Sequence, residues 1–387
     1  MEATIEEILR IDKTNWSAVK FSDVVFEPKE NAKNIYDEGI EHVVGLEHID
    51  SENIHLTRSG KLEETTTFSK KFRKGDVLFG RRRAYLKKAA LASFDGICSG
   101  DITVFRAKKN LLPELLPFIV NNEKFFDYAI KHSAGGLSPR VKFKDLSNYE
   151  FLLPPIDQQD HLAEILWAMD EVIEREREVM ERLGKSYITV VDNLFSKRKE
   201  NWEYVPLNKI ASINKQSLNT KTNPNYEFHY LDLTSIVEPK IIGDLKKIKF
   251  SEAPSRAKRI VADNSIVLAM VRPYQKAFVY IDSGEGIIAS TGTTVLNLHD
   301  KSLSRFVFHQ FFSKRFTRYC EDRMTGTSYP AITPKDIEEY KILIPNDRIL
   351  ITKECMKLDQ LEFSSLNIKS KIATSKALKK SFINQIF

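Results

Sequence analysis

The chain has 387 residues, 42% hydrophobic and 29% charged, with a formal net charge of +6. That length suffices for two cored domains, and the sequence has neither a run of about 18 apolar residues to span a membrane nor, in the acidic start Met1 to Glu7, a signal-peptide core. Cys98, Cys320 and Cys355 lack C-x-x-C spacing, which excludes a disulfide framework and suits a reducing cytoplasm. The elements then come twice. Asn15-Trp16 followed by Val19 opens one series, and Asn201-Trp202 followed by Val205 opens the other. Glu41 to Leu46 lines up with Phe228 to Leu233, and Gly75 to Phe79 with Asn264 to Leu268. Val77 to Phe79, Ile102 to Phe105, Ile266 to Ala269 and Thr293 to Leu296 are predicted strands, being β-branched or aromatic runs between Gly, Asp or Asn. Arg83-Ala84-Tyr85-Leu86-Lys87 lines up with Arg272-Pro273-Tyr274-Gln275-Lys276. A helix is predicted from Leu111 to Ile130 and again from Leu303 to Tyr319. Gly135, Pro139, Asp145, Tyr149 and Pro154 then recur at one constant offset as Gly326, Pro330, Asp336, Tyr340 and Pro345. A final predicted strand, Tyr149 to Leu153 or Tyr340 to Ile344, stops at a proline. A repeat this long means duplicated domains rather than a stacked array.

A long helix follows each proline stop, with Asp157 as the predicted N-cap of the first and Asn346 or Asp347 of the second. In the first, Leu162, Leu166, Met169, Ile173, Met180, Leu183, Tyr187, Val190 and Leu194 keep heptad spacing, interrupted by Glu176. Gly184 is a point where that helix is expected to loosen. In the second, Ile351, Leu358, Leu361, Ile368, Ile372, Phe382 and Ile386 fit, while Ser365, Ser375 and Lys379 fall on the seam. The apolar stripes must be buried, and the obvious partner of each is the other. Halves related by a pseudo-twofold axis would pack them as an antiparallel coiled coil. A helix of roughly 38 residues would then act as a spacer of about 57 Å. The reading is α+β: two tandem mixed α/β domains, residues 1–155 and 201–345, each followed by a long helix, residues 156–200 and 346–387.

Charge clusters in equivalent places. Lys70, Lys71, Arg73, Lys74 and Arg81 to Arg83 crowd one segment, and Lys246, Lys247, Lys249, Arg256, Lys258 and Arg259 its counterpart. Such a pair of patches fits two surfaces for a polyanion. Candidate DNA contacts are Arg81, Arg82, Arg83, Tyr85 and Lys87 in the first half, and Arg272, Tyr274 and Lys276 in the second. On an extended segment Arg81 and Arg83 share a face and Arg82 takes the other. Arginine forks suit guanine edges and phosphate oxygens alike. The Gly/Ser/Pro loops add Ser138 and Arg140, and Thr327, Ser328 and Tyr329, where small residues let backbone approach a ligand. His42 and His229 are equivalent but have no Cys or His neighbour at ligand spacing, so they are expected at strand edges or packed in the fold, and no metal site is expected. Nucleotide-binding and amino-methyltransferase motifs are missing. Glu27-Pro28-Lys29, Glu238-Pro239-Lys240 and Glu339-Tyr340-Lys341 match E-x-K, a pattern short enough to arise by chance.

Taken together, these features resemble the specificity subunit of a type I restriction–modification system over nearly the whole chain. The resemblance rests on Leu153-Pro154-Pro155-Ile156-Asp157-Gln158-Gln159 running into a heptad helix after the Gly-Gly-Leu-Ser-Pro loop. It rests also on Gly80-Arg81-Arg82-Arg83-Ala84-Tyr85 with Cys98-Ser99-Gly100-Asp101, on Val271-Arg272-Pro273-Tyr274, and on Gly326-Thr327-Ser328-Tyr329-Pro330. The second junction, Ile344-Pro345-Asn346-Asp347-Arg348, departs from the first in lacking its Pro-Pro and Gln-Gln. The resemblance implies a cytoplasmic, non-catalytic subunit of a bacterial or archaeal host-defence complex. Each half would hold a target recognition domain for one part of a split, asymmetric sequence in double-stranded DNA. The helices Leu162, Leu166, Met169, Ile173, Met180 and Leu183, with Leu358, Leu361, Ile368 and Ile372, would pack as the spacer and dock two modification (methyltransferase) subunits, which restriction subunits join. S-adenosylmethionine, ATP and Mg are expected on those partners, and no cofactor on this chain. A two-domain protein-interaction scaffold that does not bind DNA is the alternative.

Overall fold

The computed structural model describes residues 11–36, 38–62, 67–237 and 239–387. The acidic start and Glu238 of one E-x-K match lie outside the described residues. The chain divides into two compact units, Met1–Arg177 with Ser370–Phe387, and Glu178–Lys369. No helix of the described residues is long and apolar enough to cross a membrane.

In the first unit the described residues form β1 Ser17–Lys20, β2 Val25–Phe26, β3 Val43–Val44, β4 Lys70–Phe72, β5 Val77–Gly80, β6 Ala89–Leu91, β7 Gly96–Cys98, β8 Ile102–Ala107 and β9 Glu150–Leu153. β1 pairs with β9, β2-β8-β5-β6 form one antiparallel sheet, and β3-β7-β4 form a smaller mixed one. β5 is buried along its whole length, as an apolar run covered on both faces must be. Its Phe79 packs with Phe21, Phe105 and Phe125 in one aromatic cluster, with ring centroids 5.0 to 5.4 Å apart for Phe21–Phe125, Phe21–Phe105 and Phe79–Phe105.

The second unit holds β10 Trp202–Pro206, β11 Ala211–Ile213, β12 Glu227–Leu231, β13 Ile236–Val237, β14 Lys240–Ile241, β15 Lys246–Lys249, β16 Ala257–Ile260, β17 Ser265–Ala269, β18 Phe278–Ile281, β19 Ile287–Ser290, β20 Thr293–Leu298 and β21 Lys341–Pro345. The pair β10-β21 repeats β1-β9, and β11-β20-β17-β18 repeats β2-β8-β5-β6. The order β12-β19-β16 repeats β3-β7-β4, including its one parallel pair, with β15 added at the edge. Duplication is therefore a property of the topology as well as of the sequence.

Each helix predicted between sheet and loop is split. Leu111 to Ile130 resolves into Leu116–Val120 and Glu123–Lys131, and Leu303 to Tyr319 into Ser304–Gln310 and Lys314–Glu321. The cause is a buried cap in mid-run. Asn122 accepts from the Lys124 N–H and Ser313 from the Phe316 N–H, so each restarts the helix in a new direction.

The long helices span Ile156–Phe195 and Arg348–Ile386. Asp157 falls inside the first turn rather than at the cap, whereas Asp347 accepts the Ile349 N–H at 2.8 Å. The first helix runs through Gly184 without a break. In the first unit Leu162, Leu166 and Ile173 are buried and Met169 partly so, and Leu162 and Leu166 share a core with Phe382, Ile383 and Ile386. In the second, Val191, Leu194 and Phe195 share a core with Ile351 and Leu358. Met180, Leu183, Leu361 and Ile368 are only half-buried, less than a continuous apolar seam requires, while Ile372 is buried. The polar residues on the seam meet one another within the first unit. Lys379 Nζ donates to Asp170 Oδ1 at 2.5 Å, and Ser375 Oγ donates to Glu176 Oε2 at 3.2 Å. Numbers rise on one helix as they fall on the other, so these segments run antiparallel. Burial pushes the Asp170 carboxyl up, but His55 and Lys379 outweigh it and hold the group below the usual carboxylate range.

The junction residues also have structural work. Gln159 is buried, accepts from Leu112 N and donates to Asn110 O and Pro154 O. Gln158 accepts from the Trp16 indole at 2.9 Å. The second junction lacks both glutamines. There buried Gln310 bonds both the N–H and the C=O of Leu343, tying the helix Ser304–Gln310 to β21.

Candidate nucleic-acid interface

The two candidate segments of each half meet in space. After β5 the chain pairs Arg82 with Arg140 in an isolated bridge, then turns through a 3-10 turn, Ala84–Leu86. After β17 it pairs Val271 with Ala331 and turns through Pro273–Gln275. The flanking residues are left-handed in both copies: φ is 54° at Arg83, 48° at Lys87, 50° at Arg272 and 54° at Lys276. A non-glycine residue there costs about 1–2 kcal/mol, and such strain persists only where neighbours over-determine it. Here they do. Arg83 N donates to Pro139 O at 2.8 Å, and Arg272 N to Pro330 O at 2.7 Å. Val141 N donates to Arg81 O at 3.0 Å, and Ile332 N to Met270 O at 3.1 Å.

The Gly/Ser/Pro loops are small hairpins closed by two-way bonds, Ala134 with Arg140 at 2.9 Å and Thr325 with Ala331 at 3.0 Å. Gly135 at φ 116° and Gly326 at φ 94° turn them, conformations that only glycine adopts freely. Each hairpin is thus clamped beside its 3-10 turn, and the pair projects side chains outward. Leu137 is 97% exposed at one tip and Tyr329 71% at the other, and Tyr85 and Tyr274 are exposed on the turns.

The left-handed turn corrects the alternating-face expectation for Arg81 to Arg83. Arg82 and Arg83 both approach Ser138 Oγ, at 3.1 and 3.5 Å, while Arg81 is half-buried. Asp101, which sequence reasoning gave no role, organises the cluster by accepting from Arg140 Nε at 2.7 Å and Arg82 Nη1 at 3.2 Å. Burial opposes ionisation of Asp101, yet Arg140 and Arg82 hold its carboxyl below the usual range. Its only sequence signal was its place in Cys98-Ser99-Gly100-Asp101. Arg83 is left exposed with one long contact. In the second copy Arg272 lies 5.0 Å over the Tyr329 ring and donates to Ser328 O at 3.1 Å, with no salt-bridge partner among the described residues. Thr327 and Ser328 are exposed on that hairpin.

Lys87 and Lys276 turn into the fold. Lys276 Nζ donates to Phe312 O at 2.8 Å, and burial holds its amine below the usual lysine range. Lys87 Nζ stands 3.6 Å from Glu123 and 4.0 Å from Glu52. Much of the first basic run is also paired, Lys70 with Glu27, Lys71 with Glu38 and Arg73 with Glu30. His42 lies against Phe94 with centroids 4.1 Å apart, and His229 stands exposed on β12.

Among the described residues two groups have metal-ligand chemistry, His309 with Cys355 and Asp359, and His55 with Asp170 and Glu174. Neither set suits a metal. Both ring nitrogens of His309 are engaged, by Tyr187 Oη at 2.8 Å and Asp359 at 2.9 Å, and Arg305 already neutralises Asp359. Lys379 fills the same place on Asp170. Burial pushes all three thiols up to about 12, which leaves them un-ionised near neutrality.

Comparison with known proteins bears on this geometry. Over the full length the fold is similar to a chain from work on complex assembly and conformational transition of the type I R-M system (TM-score 0.56, 19% identity, 96% of this chain and 97% of that one). It is also similar to the type I restriction-modification system S subunit from M. genitalium (TM-score 0.59, 13% identity, 96% of each chain). The type I restriction enzyme EcoDI specificity subunit of Escherichia coli is 30% identical over 119 residues, 30% of this chain and 26% of the relative, so the match spans about a quarter of that protein. The family model for the type I restriction modification DNA specificity domain matches residues 14–183, which include the first turn, its hairpin and the start of the first long helix. Over residues 14–183, then, the chain is similar to the type I restriction modification DNA specificity domain family.

Proposed function

We propose that this chain is the DNA-recognition subunit of a type I restriction–modification complex and reads a bipartite, asymmetric target. One observation carries the reading: the same strained turn, clamped to the same hairpin, occurs in both halves with different exposed side chains. On the turns Arg83 and Tyr85 correspond to Arg272 and Tyr274, and the copies differ on the hairpins, where Leu137, Ser138 and Arg140 stand at the places of Ser328, Tyr329 and Ala331. Identical surfaces would read a symmetric site, whereas diverged ones on one scaffold read two different half-sites. Rigid elements projecting arginine and aromatic groups suit base edges and phosphates. The long helices serve as spacer and as docking surface for modification subunits, which supply methyl transfer from S-adenosylmethionine, while restriction subunits supply translocation and cleavage. This chain contributes recognition and no reaction of its own. The test is binding of the complex with its modification subunits to a randomised duplex library at several salt concentrations. Selection of one split sequence, with log affinity falling linearly in log salt, supports the reading. A flat salt response or no selected sequence favours the protein scaffold instead.

A further inference from the structure

The second unit carries a groove of about 1050 Å³ between the helix Lys314–Glu321, β21 and the last turns of the first long helix. Five cationic residues line it, Lys314, Arg315, Arg318, Arg323 and Lys341, against three acids, Asp192, Asp322 and Glu339. Two of the acids are engaged, Asp192 by Lys314 at 3.4 Å and Glu339 by Lys335 at 3.9 Å. Two of the groove's three guanidiniums sit over rings. Arg315 lies 4.8 Å over Tyr340 and 5.5 Å over Tyr204, and Arg323 lies 3.8 Å over Tyr319. Arg315 donates to Phe195 O and Lys341 O, which leaves its Nη2 buried without a partner. Arg318 is exposed and has no side-chain partner among the described residues.

The first copy has the scaffold with most of the charge lost, keeping Lys124 at the place of Arg315. Tyr128 donates to Asp145 O at 3.3 Å as Tyr319 donates to Asp336 O at 2.7 Å, which fixes the register between the two helices. In that register Glu123, Asp127, His132 and Glu150 stand where the second copy has Lys314, Arg318, Arg323 and Lys341. Charge is reversed at three of these four positions, those of Glu123, Asp127 and Glu150. Duplication copies folds, and three reversals grouped on one surface point to a ligand that only one copy meets. Planar guanidiniums and spaced cations suit phosphodiester oxygens. Arg323 stands two residues before Thr325, which opens the recognition hairpin, so the groove continues from the element that faces DNA in the reading above.

We propose that this groove holds the phosphate backbone of DNA flanking the second half-site, an anchor the first half lacks; this rests on the DNA-recognition reading. The test uses the full chain with its modification subunits and a fluorescent target duplex, titrated with salt between about 50 and 200 mM. Each phosphate contact contributes about 0.9 to the slope of log affinity against log salt. Arg318→Asp with Arg323→His, the residues of the first copy, should lower that slope by about 1.8 and leave base preference unchanged. Arg318→Gln changes an exposed side chain with no partner and should lower it by about 0.9 without touching the fold. An unchanged slope in both variants overturns the proposal, and if inorganic phosphate also saturates the groove it belongs to a small anion. A shift in base preference overturns it too, by making the groove a reader. Failure of the wild-type complex to bind any DNA sinks the recognition reading itself and the groove with it.

Discussion

Replacing Arg83 with glycine separates the turn's structural role from the recognition role proposed for it. Arg83 sits at φ 54°, which costs about 1–2 kcal/mol that glycine does not incur. Glycine's greater freedom in the unfolded chain costs about 0.5–1 kcal/mol in return. Among the described residues the side chain makes one hydrogen bond, to Ser138 Oγ at 3.5 Å, too long and exposed to add much. The backbone N–H to Pro139 O survives the substitution. Stability should therefore stay level or rise slightly, with a thermal midpoint within about 4 °C of wild type. DNA binding should weaken by about 1–3 kcal/mol, hence about 5- to 150-fold, if the guanidinium meets a base or phosphate. Scanning fluorimetry and fluorescence anisotropy on the same preparation measure both. A midpoint that falls by more than about 8 °C would show that the side chain holds the turn together. Unchanged affinity with an unchanged midpoint would remove Arg83 from the interface.

Arg272→Gly should weaken binding similarly but cost about 1 kcal/mol more stability, because its guanidinium also packs over Tyr329. Its loss of discrimination should fall on the other half of the target, and an effect on the same bases as Arg83→Gly counts against two readers. Leu166 is fully buried beside Phe382 and Ile386, so Leu166→Asp should cost more than the about 2–5 kcal/mol of a truncation to alanine. Assembly at wild-type yield with an unchanged denaturation midpoint would contradict that packing. Lys379→Met strands the buried Asp170 carboxylate with His55 as its remaining partner and should cost about 3 kcal/mol, while Asp170→Leu with Lys379→Met should recover most of it by urea denaturation. Asp359 is held at about 2 against an ordinary 3.8, burial opposing and His309 and Arg305 prevailing. Its contribution is whole above pH 3.8 and is lost as pH falls toward 2, so the stability gap between wild type and Asp359→Asn should narrow across that window. A gap that widens with acid refutes the assignment.

The repeat, the strands at Val77 and Ile266, and the recurrence of arginine segment and glycine loop in both halves were legible because they depend on local pattern and a constant offset. What escaped depends on partners distant in sequence. Left-handed Arg83 looks like any arginine until Pro139 O is seen to hold its N–H. Asn122 and Ser313 read as ordinary helix residues, yet as buried caps they split each predicted helix. Ser375 and Lys379 read as flaws in an apolar seam, although Glu176 and Asp170 stand opposite them. Lys87 and Lys276 matched a recognition pattern by sequence, but their long stems carry the amines inward to Glu123 and Phe312 O.

The claim that two diverged readers share one chain is tested most directly by sequencing the methylated bases in cells that express this chain with its modification subunit. The account expects one split, asymmetric motif with two unlike specific parts and a non-specific gap. A contiguous palindrome, or no modified motif in cells where the complex assembles, would contradict it.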